Sequence, residues 1–344
     1  MDKHLTGSKF MLFLMIWFII AQFLMSGALG ALGNAIDVDI SVIATSPWYI
    51  ILMQLIALLL PLVVWVVVRK EPLLANMPNW ALGGKNIIII VALSFLLQPA
   101  MMVISGISSL FFTNYVSEVM YNFMTYPLWL IILAMAATPA ICEELVFRGY
   151  LQSQHSNRTI KQAALLNGLF FGIIHFNMQQ FAYAFVMGII FAYMVYYTRS
   201  IWAGILPHFI VNATQGILGR AAFMASAELQ AEQEAIASVI SAEAAAIILF
   251  GVITLFLSPV IFILARAFIQ HNRWRVESET PKQPEEMPRY DGIIYPTLFE
   301  GEVDYNANVK NTAETKPSFF DQYVIWVIVV FIAVLVLLNM LTRI

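Results

Sequence analysis

Thr138-Pro139-Ala140-Ile141-Cys142-Glu143-Glu144-Leu145-Val146-Phe147-Arg148-Gly149 lies at the end of an apolar run that begins at Tyr126. Two adjacent carboxylates and a guanidinium are costly in such a run, and ionisable groups placed there are candidates for function before they are candidates for packing. Whether the run is a soluble core helix or a membrane span decides the fold. Of 344 residues, 60% are hydrophobic and only 11% charged, against roughly 25% charged in soluble domains. That balance needs lipid as solvent. The fold class it implies is an all-α, polytopic membrane helix bundle, since in lipid every backbone group must be satisfied within the protein. The net charge of −3 argues against a nucleic-acid partner. With Cys142 as the one cysteine, an internal disulfide is excluded.

Outward from that run, nine apolar segments can be read, at 10–29, 47–68, 86–112, 126–150, 160–176, 181–197, 201–218, 244–268 and 322–341. The expectation is therefore about nine transmembrane helices. The first has Lys3 and Lys9 before it and small residues at 26–31 after it, the outline of a cleavable signal peptide. At about 20 residues it is also long enough to span a bilayer, so a retained first helix is expected. Arg69, Lys70, Lys85, Arg158, Lys161 and Arg199 fall in alternate loops, while 34–46 and 113–125 carry no Lys or Arg. This alternation puts the N-terminus in the cytoplasm. The expected organisation is transmembrane helices over 1–125 and a block rich in chemistry-bearing residues over 126–218. An extracytoplasmic loop with the eighth helix follows over 219–269, then a polar cytoplasmic loop over 270–319 and a last transmembrane helix over 320–344. The 270–319 stretch, rich in Pro, Glu, Lys and Asn, cannot bury enough apolar surface for its own core. It reads as a linker or a docking segment for a cytoplasmic partner.

Three sets of residues carry chemistry. Glu144 and Arg148 are four apart, hence on one helical face in the favourable acid-before-base order. Glu143 points about 100° away, with no such local partner, and is the carboxylate free to take a proton as a general base. Pro139 breaks a helical hydrogen bond one turn earlier and should kink the segment. In the next segment Phe171 and His175 are four apart, so the ring can hold the imidazole, and Gly168 and Gly172 let another helix come close. In the third, His208 and Asn212 project together and can donate to one oxygen, as an oxyanion-stabilising pair must. Each set also has a plain structural reading: a snorkelling Glu-Arg clamp, a satisfied core histidine, or an interhelical polar contact worth only about 0.6 kcal/mol. Their placement on three apolar segments joined by short loops favours chemistry.

In this order the series Glu-Glu-x-x-x-Arg, Phe-x-x-x-His and His-x-x-x-Asn resembles the CPBP family of intramembrane proteases, which includes CAAX prenyl endopeptidases and bacteriocin-processing and bacteriocin-immunity proteins. The likeness covers roughly 138–216, with flanks in Thr138-Pro139, Phe147-Arg148-Gly149 and Thr198-Arg199-Ser200-Ile201-Trp202. It implies an endopeptidase in which Glu143 and His175 activate a water, His208 and Asn212 hold the oxyanion, and Glu144, Arg148 and Phe171 support the site. A peptide or membrane protein would be the substrate, the lipid bilayer the medium, and a bacterial cytoplasmic membrane the location. Members have been described both as metalloproteases and as glutamate-type proteases. No His-Glu-x-x-His zinc helix is present. Glu143, His175 and His208 could hold a catalytic zinc with one open position, but His208 with Asn212 makes a better donor pair than a ligand set, so no cofactor is expected.

Depth sets a condition on this reading. If the fifth segment starts at the cytoplasmic face near Lys161, His175 lies about 20 Å further along, whereas Glu143 and His208 fall within about 10 Å of that face. They can meet if the fifth helix begins in the cytosol, if it tilts strongly, or if the cavity reaches the midplane; the polar lead-in Ser156-Asn157-Arg158-Thr159 makes the first the expectation, with a cytoplasm-facing cavity. Two other classes compete: a non-catalytic membrane protein of the same fold, such as an immunity factor or scaffold, and a proton-coupled transporter.

Overall fold

The computed structural model describes residues 3–36, 43–72, 77–112, 123–155, 158–229, 242–278 and 322–341. Among these, nine long helical stretches follow one another: α1 Lys3–Ile36, α2 Pro47–Arg69, α3 Gly84–Ser109, α4 Leu128–His155, α5 Ile160–Ile173, α6 Met178–Thr198, α7 Trp202–Leu229, α8 Ala242–Glu277 and α9 Gln322–Leu341. The fold class is all-helical: the one extended pairing among the described residues is an isolated bridge between Asn79 and Ser200.

Each of the nine apolar segments becomes a helix, but nine crossings do not follow. Among the described residues six helices are long and apolar enough to cross a membrane: α1, α2, α3, α4, α6 and α8. α5, with 14 residues, is about 21 Å long and too short for a hydrocarbon core of about 30 Å. α7 is long enough, but His208, Asn212 and Gln215 interrupt its apolar run. Large apolar side chains such as Phe23, Leu24, Val67, Ile88, Leu255 and Phe256 stand exposed along these helices, as lipid-facing residues do. The chain is an integral membrane protein. α7 runs on to Leu229 and α8 to Glu277, past the points where their apolar patterns stop. The rest of the polar stretch read as a partner segment, from 279 onward, lies outside the described residues.

Local signals explain several helix ends. Ser46 caps α2, accepting from the Tyr49 amide, with Pro47 in the first turn where its missing N–H costs nothing. Thr159 and Gln162 form a capping box at the start of α5, on the polar lead-in. Asn177 caps α6 by accepting from the amides of Gln179 and Gln180. α2 and α6 end at Lys70 and Arg199, both left-handed.

Two apolar cores flank the middle of the bundle. One joins α1, α2, α4, α5 and α9 around Phe10, Leu62, Phe147, Phe170 and Val327. The other joins α3, α6, α7 and α8 around Ile90, Phe191, Ala203 and Phe268. α5 and α6 form a tight hairpin across the join: a Cβ on Gly168 would fall 2.6 Å from the Phe185 carbonyl oxygen, and one on Gly172 would fall 2.8 Å from the Phe181 ring. The close approach expected of these two glycines is made, with α6 as the partner.

Candidate active site

Glu143 and Glu144 stand on α4 between two π-helical stretches, Leu133–Ala137 and Leu145–Leu151. Such stretches recur at functional sites because they turn the following side chains out of the ordinary helical register. Pro139 has no N–H, so the carbonyl of Met135 loses its usual donor four residues on. Asn212 of α7 replaces it, donating from Nδ2 over 3.0 Å. The second stretch is held from α5, where Asn167 donates to the Phe147 carbonyl at 2.9 Å.

The Glu144–Arg148 pair read from the spacing is present, and both residues are fully buried. Glu144 Oε1 accepts from Arg148 Nη1 at 2.7 Å and also from His208 Nδ1 at 2.9 Å. Arg148 further donates from Nη2 to the Gly188 carbonyl at 3.2 Å, and its guanidinium lies 4.4 Å over the Phe171 ring. Gly204 of α7 faces the other Glu144 oxygen, where a Cβ would overlap Oε2. His208 is thus tied to α4 directly, a contact that its spacing to Asn212 did not suggest.

Glu143 sits on the neighbouring face, as its place beside Glu144 requires, but it is not without a partner. Gln54 of α2 donates from Nε2 to Glu143 Oε1 at 3.0 Å. Glu143 Oε2 lies 3.9 Å from His208 Nε2. His175 follows the last turn of α5, with Nδ1 2.7 Å from the Phe171 carbonyl. Donation there puts the proton on Nδ1 and leaves the Nε2 lone pair free. The Phe171 ring meets His175 edge-on at 5.3 Å and His208 at 5.8 Å, so it positions two histidines where one was expected.

A cavity of about 860 Å³ is lined by Glu143, His175, His208 and Asn212, with Phe171 in its wall. Glu143, His175 and His208 therefore meet, as the condition on depth requires. α4 stays helical to His155, which puts Glu143 about 18 Å from that end at about 1.5 Å per residue, close to the depth of His175. The start of α7 is covered by the preceding chain: Ile201 donates its amide to the Pro78 carbonyl at 2.8 Å, and Trp80 donates to Arg199 at 2.9 Å. Much of its lining, among it Ile50, Ala134, Gln180 and Phe223, comes from the halves of the helices away from Arg69, Lys70 and Arg199, while His208 stands in the first two turns of α7 and Phe191 in the second half of α6.

The cavity also collects polar side chains that no motif singled out: Gln54, Ser105, Gln179, Gln180, Tyr183 and Gln215. Gln179 donates to Ser105 at 3.0 Å. Their one signal in the sequence is a lone amide in an apolar run, as in Ile50-Ile51-Leu52-Met53-Gln54-Leu55-Ile56. Among the described residues no three His, Cys, Asp or Glu side chains stand grouped as metal ligands.

Known proteins were compared with the chain in three ways. A family model described as Rce1-like, Type II CAAX prenyl endopeptidase Rce1-like, matches residues 125–214. Neither the curated proteins nor the solved structures yield a match. The matched stretch runs from just before α4 into α7 and takes in the Glu-Glu-x-x-x-Arg, Phe-x-x-x-His and His-x-x-x-Asn residues, of which Glu143, Phe171, His175, His208 and Asn212 line the cavity, and its activity class is that of an intramembrane endopeptidase in general. Over residues 125–214, roughly a quarter of its length, the chain carries a CPBP-family segment of the Rce1-like, type II CAAX prenyl endopeptidase kind.

Proposed function

We propose that this protein hydrolyses a peptide bond within the membrane, with water as nucleophile and no metal. The single observation that carries the reading is the convergence of Glu143, His175, His208 and Asn212, from two helices and a turn, on one cavity. Water held between Glu143 Oε2 and the free Nε2 of His175 would attack the carbonyl carbon while Glu143 takes one of its protons. The tetrahedral oxyanion would be held by His208 through Nε2–H and by the second amide hydrogen of Asn212. For this His208 must carry both ring protons, with Nδ1 donating to Glu144. The state has a balanced charge, since Glu143 and Glu144 then face Arg148 and His208. Glu143 would return its proton to the amine nitrogen as the C–N bond breaks, giving a new carboxylic acid, which keeps the second water proton, and a new amine.

Glu144, Arg148 and Phe171 would act through His208 and His175, holding both rings in place. Gln54 would hold one oxygen of Glu143 and leave the other for water. The test compares membranes of cells making the wild-type chain with cells making Glu143→Gln, by mass spectrometry of protein termini. New termini that depend on Glu143 support the reading. Identical terminal peptides in both would contradict it.

A further inference from the structure

Three non-glycine residues among those described stand at positive φ. Lys70 and Arg199 end α2 and α6, where a left-handed residue is an ordinary way to stop a helix. The third is Phe176, at φ 46°, directly after His175 in the turn from α5 to α6. That conformation is rare for an aromatic side chain and persists only where the surroundings impose it.

The bonding of the turn shows what the conformation does. α5 ends at Ile173 and Asn177 already caps α6, so the chain must reverse between them. His175 donates its amide to the Gly172 carbonyl at 3.3 Å and Phe176 donates to Ile173 at 3.0 Å, a tightened last turn. The Phe171 carbonyl thereby loses the amide that a continuing helix would bring to it, and His175 Nδ1 takes that place at 2.7 Å. Chain reversal and imidazole tautomer are thus one arrangement.

The surroundings are aromatic, and they come from the first and last helices. Phe18 of α1 stacks on Phe176 with ring centres 5.5 Å apart, and Phe331 of α9 meets it at 6.3 Å. Phe331 also stacks at 5.8 Å on Phe181, the ring that fills the space beside Gly172. Phe331 is buried, in one core with Val324 and Val327 of its own helix. None of Phe18, Phe176 and Phe331 lines the cavity, and Phe18 and Phe331 lie outside the matched 125–214.

Resting on the endopeptidase reading, we propose that Phe18 and Phe331 are positioning residues for the reaction. They grip the Phe176 ring from α1 and α9 and hold that residue left-handed. This keeps the His175 Nδ1 proton on the Phe171 carbonyl and the Nε2 lone pair free for water. The first and last helices then set the turnover of the matched segment without touching its substrate.

The grip is tested without substrate, by the ring-nitrogen magnetic resonances of His175 in the purified full chain at alkaline pH, assigned by their loss in His175→Gln. The wild type should carry the proton on Nδ1. Phe331→Ala and Phe176→Ala should show a mixture of the two tautomers. Phe176→Gly, whose backbone is left-handed at little cost, should keep Nδ1 protonated. A proton on Nε2 in the wild type, or the same tautomer in every variant, overturns the proposal.

Turnover of a peptide that the wild type cuts gives the second readout. Phe331→Ala should lower kcat by about tenfold to a hundredfold, the effect of a small misplacement, with KM little changed. Phe176→Gly should turn over about tenfold faster than Phe176→Ala. In the Phe176→Gly background the loss from Phe331→Ala should largely vanish. Equal rates for the Gly and Ala variants, or the same loss from Phe331→Ala in both backgrounds, make Phe331 a packing residue and overturn the proposal. If Phe331→Ala does not fold, the Gly and Ala pair at 176 decides. Undiminished cleavage by Glu143→Gln overturns the endopeptidase reading instead, and the tautomer result stands.

Discussion

Asn212 donates its side-chain amide to the carbonyl of Met135 at 3.0 Å, the carbonyl that Pro139 leaves without a helical donor. One motif residue of α7 thus completes the helix that carries the two carboxylates. The two positions should be coupled. Asn212→Leu leaves a carbonyl unpartnered in an apolar setting, which costs about 1–3 kcal/mol. In a Pro139→Ala background the new Ala N–H can reach Met135, and the loss should shrink by about 1 kcal/mol. A double-mutant cycle of unfolding in detergent measures this. Strict additivity would show that Asn212 does not complete α4.

The two carboxylates should separate by stability. Arg148→Leu strands Glu144 in a fully buried site and should destabilise the fold by about 3–5 kcal/mol. Glu143→Gln keeps an amide beside Gln54 and the cavity, and should change stability by less than about 1 kcal/mol. Thermal unfolding of the two variants checks the contrast, which equal losses would contradict.

How far the sequence reaches is visible in these same residues. Spacing within one helix is local, so Glu144–Arg148, Phe171–His175 and the different faces of Glu143 and Glu144 can be read directly. The nine apolar runs likewise become nine helices, because burial in lipid leaves the backbone little choice. Contacts between distant helices leave no such trace. Gln54 lies 89 residues from Glu143, and its presence in an apolar run says that it has a partner without saying which. The continuation of α4 to His155 through π and 3-10 turns follows from packing against α1 and α5, and it changed the depth of Glu143 along its helix.

Gln54 should matter to turnover more than to binding. Gln54→Leu removes the donor that fixes Glu143 Oε1, and a hydrogen bond to a charged group is worth about 1.5–3 kcal/mol, or about tenfold or more in rate. The expected signature is a fall in kcat with KM little changed, and partial recovery in Gln54→Asn. A change confined to KM would assign Gln54 to substrate contact instead.

Metal removal should leave the enzyme unaffected. Activity is expected to survive exhaustive treatment with a strong chelator, and elemental analysis of the purified protein should find well under one zinc per chain. Stoichiometric zinc whose removal abolishes cleavage, and whose return restores it, would move the activation of water from Glu143 and His175 to the metal.

The central claim is that Glu143 is the base. The most direct measurement is single-turnover cleavage, by purified wild type and Glu143→Gln, of a peptide first identified by its Glu143-dependent terminus, with both proteins shown to unfold at the same temperature. Loss of a general base slows its step about 10²–10⁴-fold, and a fall of that size with an unchanged fold is predicted. A Glu143→Gln enzyme that cuts at the wild-type rate would contradict the account.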